Sequence, residues 1–332
     1  MKKYIPIRIV NVEGAEYLQI MYLPGNVCNY KCSYCFAGSN EGNYQFPKNT
    51  DTLVKNFQSL LNQYQTKLGK KFFTIHIGGG EPTLWNGLVE FCSQLKASHN
   101  VNFVLITNGS RSLRWWKENG QQFNDVQISC HHEFSNVDHI MQVADLLYGM
   151  DIKGGVSMLM DASHWSKCVS IVDKMKTSEC NWCIQTKEVV DSAGRGMDVY
   201  SQEQLEYLNT STKRLPDGAH LLKHLHTIKL HESVTMFDDG TVSMAKPNSY
   251  INNKWNSFKG WQCDVALESL MIKWDGTIAG SCQEPVFNKL FNILSEDFAH
   301  TFTLDADFAN ITCPRNHCTC QPETHVSKRK IL

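Results

Sequence analysis

The sequence predicts an α/β fold: a parallel sheet of repeated strand–helix units over residues 1–215, followed by a small cysteine-rich domain over residues 216–332. Three observations predict it. Short β-rich runs alternate with amphipathic stretches from about residue 17 to residue 213, which is the pattern of βα units. A Leu215-Pro216-Asp217-Gly218 turn ends that regime, and hairpin-like pieces follow it. The 13 cysteines include one tight group near the start of the chain and another near its end.

Taken in order, the predicted strands of the first region are Leu18 to Leu23, Phe72 to Ile77, Asn102 to Thr107, Val126 to His131, Gly155 to Met160 and Trp182 to Val189. Between them, apolar residues recur at helical spacing. Val54, Phe57, Leu60/Leu61 and Tyr64 form one face; Val137, Ile140/Met141, Ala144 and Leu147 another; Trp165, Cys168/Val169, Val172 and Met175 a third. Each face is expected to pack on the sheet. In the second region, Ser233 to Phe237 and Thr241 to Ala245 flank Asp238-Asp239-Gly240. Leu270 to Trp274 and Thr277 to Gly280 flank Asp275-Gly276.

Composition narrows the function. The 32 basic residues balance 33 acidic ones, for a net charge of −1, so the chain lacks the basic excess of a surface that docks nucleic acid or anionic membrane. The single basic run, Lys328-Arg329-Lys330, reads as a solvated tail. Pro6, Arg8 and Glu13 interrupt the apolar stretch a signal peptide needs, and no segment approaches the roughly 18 apolar residues of a membrane span. The expectation is a cytoplasmic protein, with no membrane partner, whose clustered thiols bind metal rather than pair as disulfides.

The first cluster is Cys28, Cys32 and Cys35, in the loop after the first strand. Three thiolates can converge on one metal centre and leave a coordination position open, whereas a structural zinc site closes with four protein ligands; a zinc knuckle completed by a distant histidine is the alternative. One βα unit later, Gly78-Gly79-Gly80-Glu81-Pro82-Thr83 ends the second strand. Together these resemble the radical S-adenosylmethionine (SAM) enzymes, with their CxxxCxxC loop, GGEP motif and partial (β/α)6 barrel. The resemblance implies that Cys28, Cys32 and Cys35 hold a [4Fe–4S] cluster whose fourth iron is chelated by SAM. It also implies cofactor-binding positions at Tyr34, against the adenine, and at Phe36, Gly79 and Gly80. Glu81 would meet the methionine ammonium, and Thr107, Asn108 and Ser129 at later strand ends would contact SAM.

Side chains alternate across a strand, so Gln127, Ser129, His131 and Glu133 share a face opposite Val126, Ile128 and Cys130. The polar face is expected to be the barrel lumen. By the same parity His76, His131, Gln185 and Lys187 are substrate-side candidates, each with a hydrogen-bonded strand residue as its alternative. Cys183, if it faces the lumen, could donate a hydrogen atom to a substrate radical; the alternative is an inert strand cysteine. Cys180 and Cys183 form a CxxC pair that lacks the helix-start placement of a redox couple. Cys92, Cys130 and Cys168 fall on apolar faces and read as buried small hydrophobes.

The second cluster comprises Cys263, Cys282, Cys313, Cys318 and Cys320. A cysteine, a glycine-containing hairpin and a second cysteine resemble the SPASM or twitch extensions of radical SAM enzymes. Five thiols fall short of the roughly eight that two fully ligated cubanes need, so one auxiliary [4Fe–4S] cluster is implied, on Cys263, Cys282 and two of the other three. A zinc ribbon is the alternative. The implied activity is reductive cleavage of SAM to a 5′-deoxyadenosyl radical that abstracts hydrogen from a C–H bond. The substrate would be a peptide, a protein or a small polar metabolite, and the electron donor a flavodoxin or ferredoxin. The alternatives are a radical SAM enzyme acting on nucleosides or RNA, against which the near-neutral charge weighs, and a non-catalytic zinc-stabilised binding protein.

Overall fold

The computed structural model describes residues 6–35, 38–177, 182–189, 199–210, 233–245, 250, 255–280, 286–287, 290–304, 311–314, 316, 318 and 326–331. Fourteen strands are found among them: β1 (Pro6–Asn11), β2 (Tyr17–Tyr22), β3 (Phe72–Ile77), β4 (Val101–Thr107), β5 (Asp125–Cys130), β6 (Lys153–Met160), β7 (Cys183–Glu188), β8 (Ser233–Phe237), β9 (Val242–Ala245), β10 (Gln262–Cys263), β11 (Ser269–Ile272), β12 (Ile278–Ala279), β13 (Ile311–Thr312) and β14 (Lys328–Arg329). They form two sheets. The larger runs β12-β11-β2-β3-β4-β5-β6-β7 and is parallel from β11 to β7. Its strands β2 to β7 are the six that periodicity predicts.

The connections are helices: α1 (Thr50–Leu68), α2 (Leu88–Ser98), α3 (Leu113–Asn119), α4 (Val137–Gly149) and α5 (Trp165–Lys176), with α6 (Gln202–Thr210) after β7. The first illustrates how local sequence sets the bounds. Asn49 caps α1 by accepting from the Thr52 amide, and Gly69 ends it in the left-handed region at φ 68°. Phe57, Leu60, Leu61 and Tyr64 on one stripe of α1 are fully buried against the sheet. Alternate strand residues supply the other half of that core, among them Leu18 and Ile20, Phe73 and Ile75, Val126 and Ile128. Cys92, Cys130 and Cys168 are fully buried in it, consistent with their apolar-face positions.

Two features depart from the reading of the sequence. The β11–β12 hairpin does not stand apart from the first region: β11 lies parallel to β2, with Ser269 opposite Gln19 and Ile272 opposite Tyr22. Leu270 and Ile272 are fully buried, so this strand covers an edge that β2 would otherwise expose. The Lys328 to Lys330 run is no solvated tail. Lys328 and Arg329 form β14, between β1 and β10 in the second sheet, whose order is β13-β10-β14-β1-β8-β9. Lys328 is 3% exposed, with its ammonium 4.5 Å from the centre of the Phe258 ring, where a cation–π contact replaces water. Arg329 Nε donates to Gln262 Oε1 at 2.6 Å.

Candidate active site

All the parallel strands point the same way, so the loops that leave their C-terminal ends gather along one edge, the usual place for ligands in α/β sheets. The loop after β2 carries the three cysteines and is stitched to the loop after β3. Gly80 N donates to Gly25 O at 3.1 Å and Glu81 N to Val27 O at 2.8 Å. The glycines permit this approach. Gly79 has φ +109°, and a Cβ on Gly80 would lie 2.2 Å from Val27 O. Gly80→Ala is therefore expected to push the cysteine loop off the glycine loop at a cost of about 1–3 kcal/mol. The measurable result is a lowered denaturation midpoint.

Glu81 braces the two loops from within. Its side chain is fully buried and both carboxylate oxygens accept hydrogen bonds. Oε1 accepts from Thr83 N at 3.1 Å, Thr83 Oγ1 at 2.6 Å and Thr107 Oγ1 at 2.7 Å, and Oε2 accepts from Asn108 N at 2.7 Å. Burial raises the carboxyl pKa, and these four donors oppose the rise. Thr107 is drawn into the same brace, its Oγ1 also accepting from Gly109 N. The carboxylate thus ties the end of β3 to the end of β4, leaving the glycine backbone at the cavity.

That cavity, of about 220 Å³, is lined by Cys28, Cys32 and Cys35, by Gly79 and Gly80, and by Thr107, Asn108, Ser129 and His131. The Cys28 sulfur accepts from Tyr30 N at 3.3 Å and from Asn108 Nδ2 at 3.9 Å, and Asn108 Nδ2 also donates to Asn29 Oδ1 at 2.9 Å. Burial pushes the Cys32 thiol up to about 12, helped by Glu133, Cys35 and Cys28 nearby, and burial likewise raises Cys28. Two neighbouring thiols, Cys28 and Cys32, that burial holds protonated are what a positively charged centre would resolve. Glu133, beyond β5, clamps the loop from the other side: it accepts from Ser33 N at 2.8 Å and Ser33 Oγ at 2.6 Å. Burial works to raise Glu133, but the Ser33 donors leave its pKa below the ordinary value.

Tyr34 does not line the cavity. Its ring stacks on His131 and His132, with centroids 5.9 and 5.4 Å apart, and its hydroxyl lies 3.2 Å from His131 Nδ1. Burial raises the Tyr34 pKa, so the hydroxyl keeps its proton. Burial lowers the His131 pKa from 6.5 to about 4, with His132 adding to the effect and Glu133 opposing it. Between those two values the unfolded chain binds more protons than the folded one, so stability present above about pH 6.5 is lost as pH falls toward about 4. The denaturation midpoint should decline over that window in the wild type and flatten in His131→Gln.

Of the remaining candidates, His76, Gln185, Lys187 and Cys183 lie on strands of the larger sheet, outside the lining of this cavity. Ser129, Ser157 and Gln185 stand opposite one another across β5, β6 and β7, with Gln185 Nε2 donating to Ser157 Oγ at 2.8 Å. His76 Nε2 is 2.9 Å from Gln19 Nε2. Lys187 is open to solvent yet ringed by protein, which lowers its pKa against an opposing pull from Cys183. Cys183 is half-buried opposite Gly155. In the second sheet, Cys263 pairs with Ile311, Cys313 N donates to Trp261 O at 2.8 Å, and Cys318 N donates to Asn256 O at 2.8 Å. Cys313 and Cys318 pack against the cluster of Ile9, Tyr250, Phe258 and Trp261. Phe36, Cys180, Cys282 and Cys320 lie outside the described residues.

Sequence reasoning did not single out Asn26, fully buried, whose Oδ1 accepts from Tyr44 N at 2.8 Å and whose Nδ2 donates to Gly38 O at 2.5 Å, folding the cysteine loop back on itself. Nor did it assign the Ser33–Glu133 clamp. Its one available signal was parity, which puts Glu133 on the same face as His131.

Three thiols and a close-packed glycine loop on one cavity, with no fourth thiol lining it among the described residues, fit a [4Fe–4S] cluster that keeps one iron open. Residues 22–145 match the sequence model of the Radical SAM superfamily: the chain carries a Radical SAM superfamily domain, the domain of radical SAM enzymes. It is 25% identical over 155 residues to an S-adenosylmethionine-dependent nucleotide dehydratase of a Thermoplasmatales archaeon (strain ISO4-H5). That match takes in 42% of this chain and 51% of the relative, so the chain spans about half the length of this curated relative. The fold is similar to that of polyhistidine-tagged anSMEcpe with bound AdoMet, at TM-score 0.51 and 16% identity over 84% of this chain and 78% of that one. It is also similar to native anSMEcpe with bound AdoMet and Kp18Cys peptide, at TM-score 0.50 and 14% identity over the same shares of the two chains.

Proposed function

We propose that the chain holds a [4Fe–4S] cluster on Cys28, Cys32 and Cys35, binds SAM beside it, and abstracts hydrogen from a C–H bond of a small polar substrate on the open face of the sheet. The observation that carries this reading is the convergence of three thiols with Gly79 and Gly80 on one cavity. Bound there, the cluster and SAM supply one-electron cleavage of a C–S bond and a 5′-deoxyadenosyl radical. The chain's own part is to hold and orient. Tyr30 and Asn108 offer N–H groups to the Cys28 sulfur, the kind of outer contact that tunes a cluster. The neutral His131, fixed by Tyr34, closes one wall.

The eight-stranded sheet reads as a partial (β/α)6 barrel, with Gln185, Lys187 and His76 as polar contacts for substrate inside it. An ammonium among these groups suits an anionic substrate. The archaeal relative's name, a nucleotide dehydratase, favours a nucleotide-like metabolite over a peptide. The C-terminal cysteines would hold one auxiliary [4Fe–4S] cluster, and a flavodoxin- or ferredoxin-like donor in the cytoplasm would supply electrons.

Anoxic purification tests the cofactor reading. Brown protein with about eight irons is expected for two clusters, and about four if only the first is held. On reduction it should convert SAM to methionine and 5′-deoxyadenosine. Colourless, zinc-loaded protein that never cleaves SAM would overturn the proposal.

A further inference from the structure

A second set of ligating side chains lies on the same strand-end edge, and the proposed reaction does not use it. His132 follows β5, while Asp161 and His164 follow β6. The two strands are parallel neighbours with Cys130 opposite Met158, so the sheet brings together residues that lie far apart in the chain. Asp161 caps the short turn Ala162–His164 through one oxygen: Oδ1 accepts from Ser163 N at 2.9 Å and from Ser163 Oγ at 2.7 Å. Its other oxygen faces two imidazoles, His132 Nε2 at 3.1 Å and His164 Nδ1 at 2.8 Å. The two rings stack with centroids 4.7 Å apart and planes 27° from parallel.

We propose that His132, Asp161 and His164 form a binding site for one divalent transition-metal ion of the zinc, manganese or ferrous class. Spacing is the first argument. Adjacent donors on an ion with bonds of about 2.1 Å sit about 3.0 Å apart at octahedral and about 3.4 Å at tetrahedral angles, close to the 3.1 and 2.8 Å of the two imidazole–carboxylate pairs here, and all three donor atoms lie within 4.8 Å of one another. Burial is the second. The His132 side chain is 2% exposed and its Nδ1 has no hydrogen-bond partner among the described residues, so this imidazole has given up water, while its Nε2 faces Asp161. Tyr34, stacked on the ring at 5.4 Å, helps hold it in that orientation, as a ligand imidazole requires.

The donor chemistry sets the class of ion. Two imidazoles with one carboxylate favour zinc, iron or manganese over calcium or magnesium, which take all-oxygen shells. Without an ion, both ring nitrogens meet the same carboxylate oxygen; with an ion bound at those two nitrogens, each neutral imidazole keeps its one proton on its other ring nitrogen. The His164 side chain is 54% exposed, so the solvent side stays open for water or an oxygen of a polar substrate, the arrangement of a three-ligand zinc site rather than a closed structural one. The ion would also stiffen the stack through His132 and Tyr34 to His131, which lines the cysteine cavity.

The test uses the full-length protein after anoxic loading of its iron sites, with zinc and then cobalt(II) as the probe metals. Wild-type protein should retain one more equivalent of zinc per chain than His164→Ala or Asp161→Asn, with iron content equal in all three. The exposed position of His164 and the cap acceptor retained in Asp161→Asn keep both variants folded, shown by a cooperative thermal transition without added metal. Zinc should raise the midpoint of the wild type alone. The cobalt difference spectrum, wild type minus variant, should carry d–d bands and no thiolate-to-metal charge transfer. Equal zinc content in wild type and both variants, or a sulfur charge-transfer band in the difference, would overturn the assignment. Either result leaves the iron count, and so the reading of the cysteine cavity, standing on its own.

Discussion

Cys32→Ala is expected to leave a chain that cannot retain a cluster in the cysteine loop and makes no measurable 5′-deoxyadenosine from SAM. The expected loss exceeds about 100-fold, the upper end of what removing a mere outer-shell partner costs. Cys32 is the most buried of the three thiols, at 8% exposed, between half-buried Cys28 and exposed Cys35. No other side chain can replace it, because Ser33 is held by Glu133 and Tyr34 is turned onto the histidines. Iron analysis and product chromatography measure the two effects. Cys263→Ala should instead retain some SAM cleavage uncoupled from substrate. Equal loss in both variants would refute the division between a radical-generating site and an auxiliary one.

Glu81→Leu is expected to destabilise the fold by about 3–5 kcal/mol and to abolish SAM binding with it. The Thr83 and Asn108 amides and the Thr83 and Thr107 hydroxyls all aim at the lost carboxylate, and unmade buried hydrogen bonds cost about 1–3 kcal/mol each where no water can enter. Glu81→Gln supplies the control. Its amide oxygen can keep the Thr83 and Thr107 contacts, but its nitrogen then confronts the Asn108 amide, donor against donor. Urea denaturation should rank wild type above Gln and Gln above Leu. A glutamine variant as stable as wild type would show that the Asn108 contact contributes nothing.

The parallel sheet was legible because each of its strands is a short run whose alternate residues are fully buried, as with Phe73, Ile75 and Ile77, and because the intervening helices repeat apolar residues every three to four positions. The cysteine loop was legible from spacing alone, since thiols four and three residues apart need no long-range information to converge. What escaped notice depends on partners distant in the chain. Ser269 finds Gln19, and Arg8 pairs with both Met236 and Arg329; nothing in a five-residue strand announces its neighbour. The Glu81 brace escaped for another reason: a buried carboxylate and an exposed one carry the same letter, and only the fold brings the four donors around it. The His132, Asp161 and His164 set combines both difficulties, since no local motif spans a loop on one strand and a turn on the next.

The placement of β11 sets an order of events during synthesis. The cysteine loop leaves β2 at Leu23, whose amide donates to Ile272 O at 2.9 Å, and β11 is the parallel neighbour that flanks β2. By the time Ile272 emerges from the ribosome, the strands from β2 to β7 have long been available, as N-terminal segments generally are. The cysteine loop still lacks its outer support. It is thus completed late, once the nascent chain has passed residue 272, and a chain stalled short of that point presents its three thiols on an unsecured loop. Ribosome-bound chains arrested before and after β11 should differ accordingly in the iron they retain.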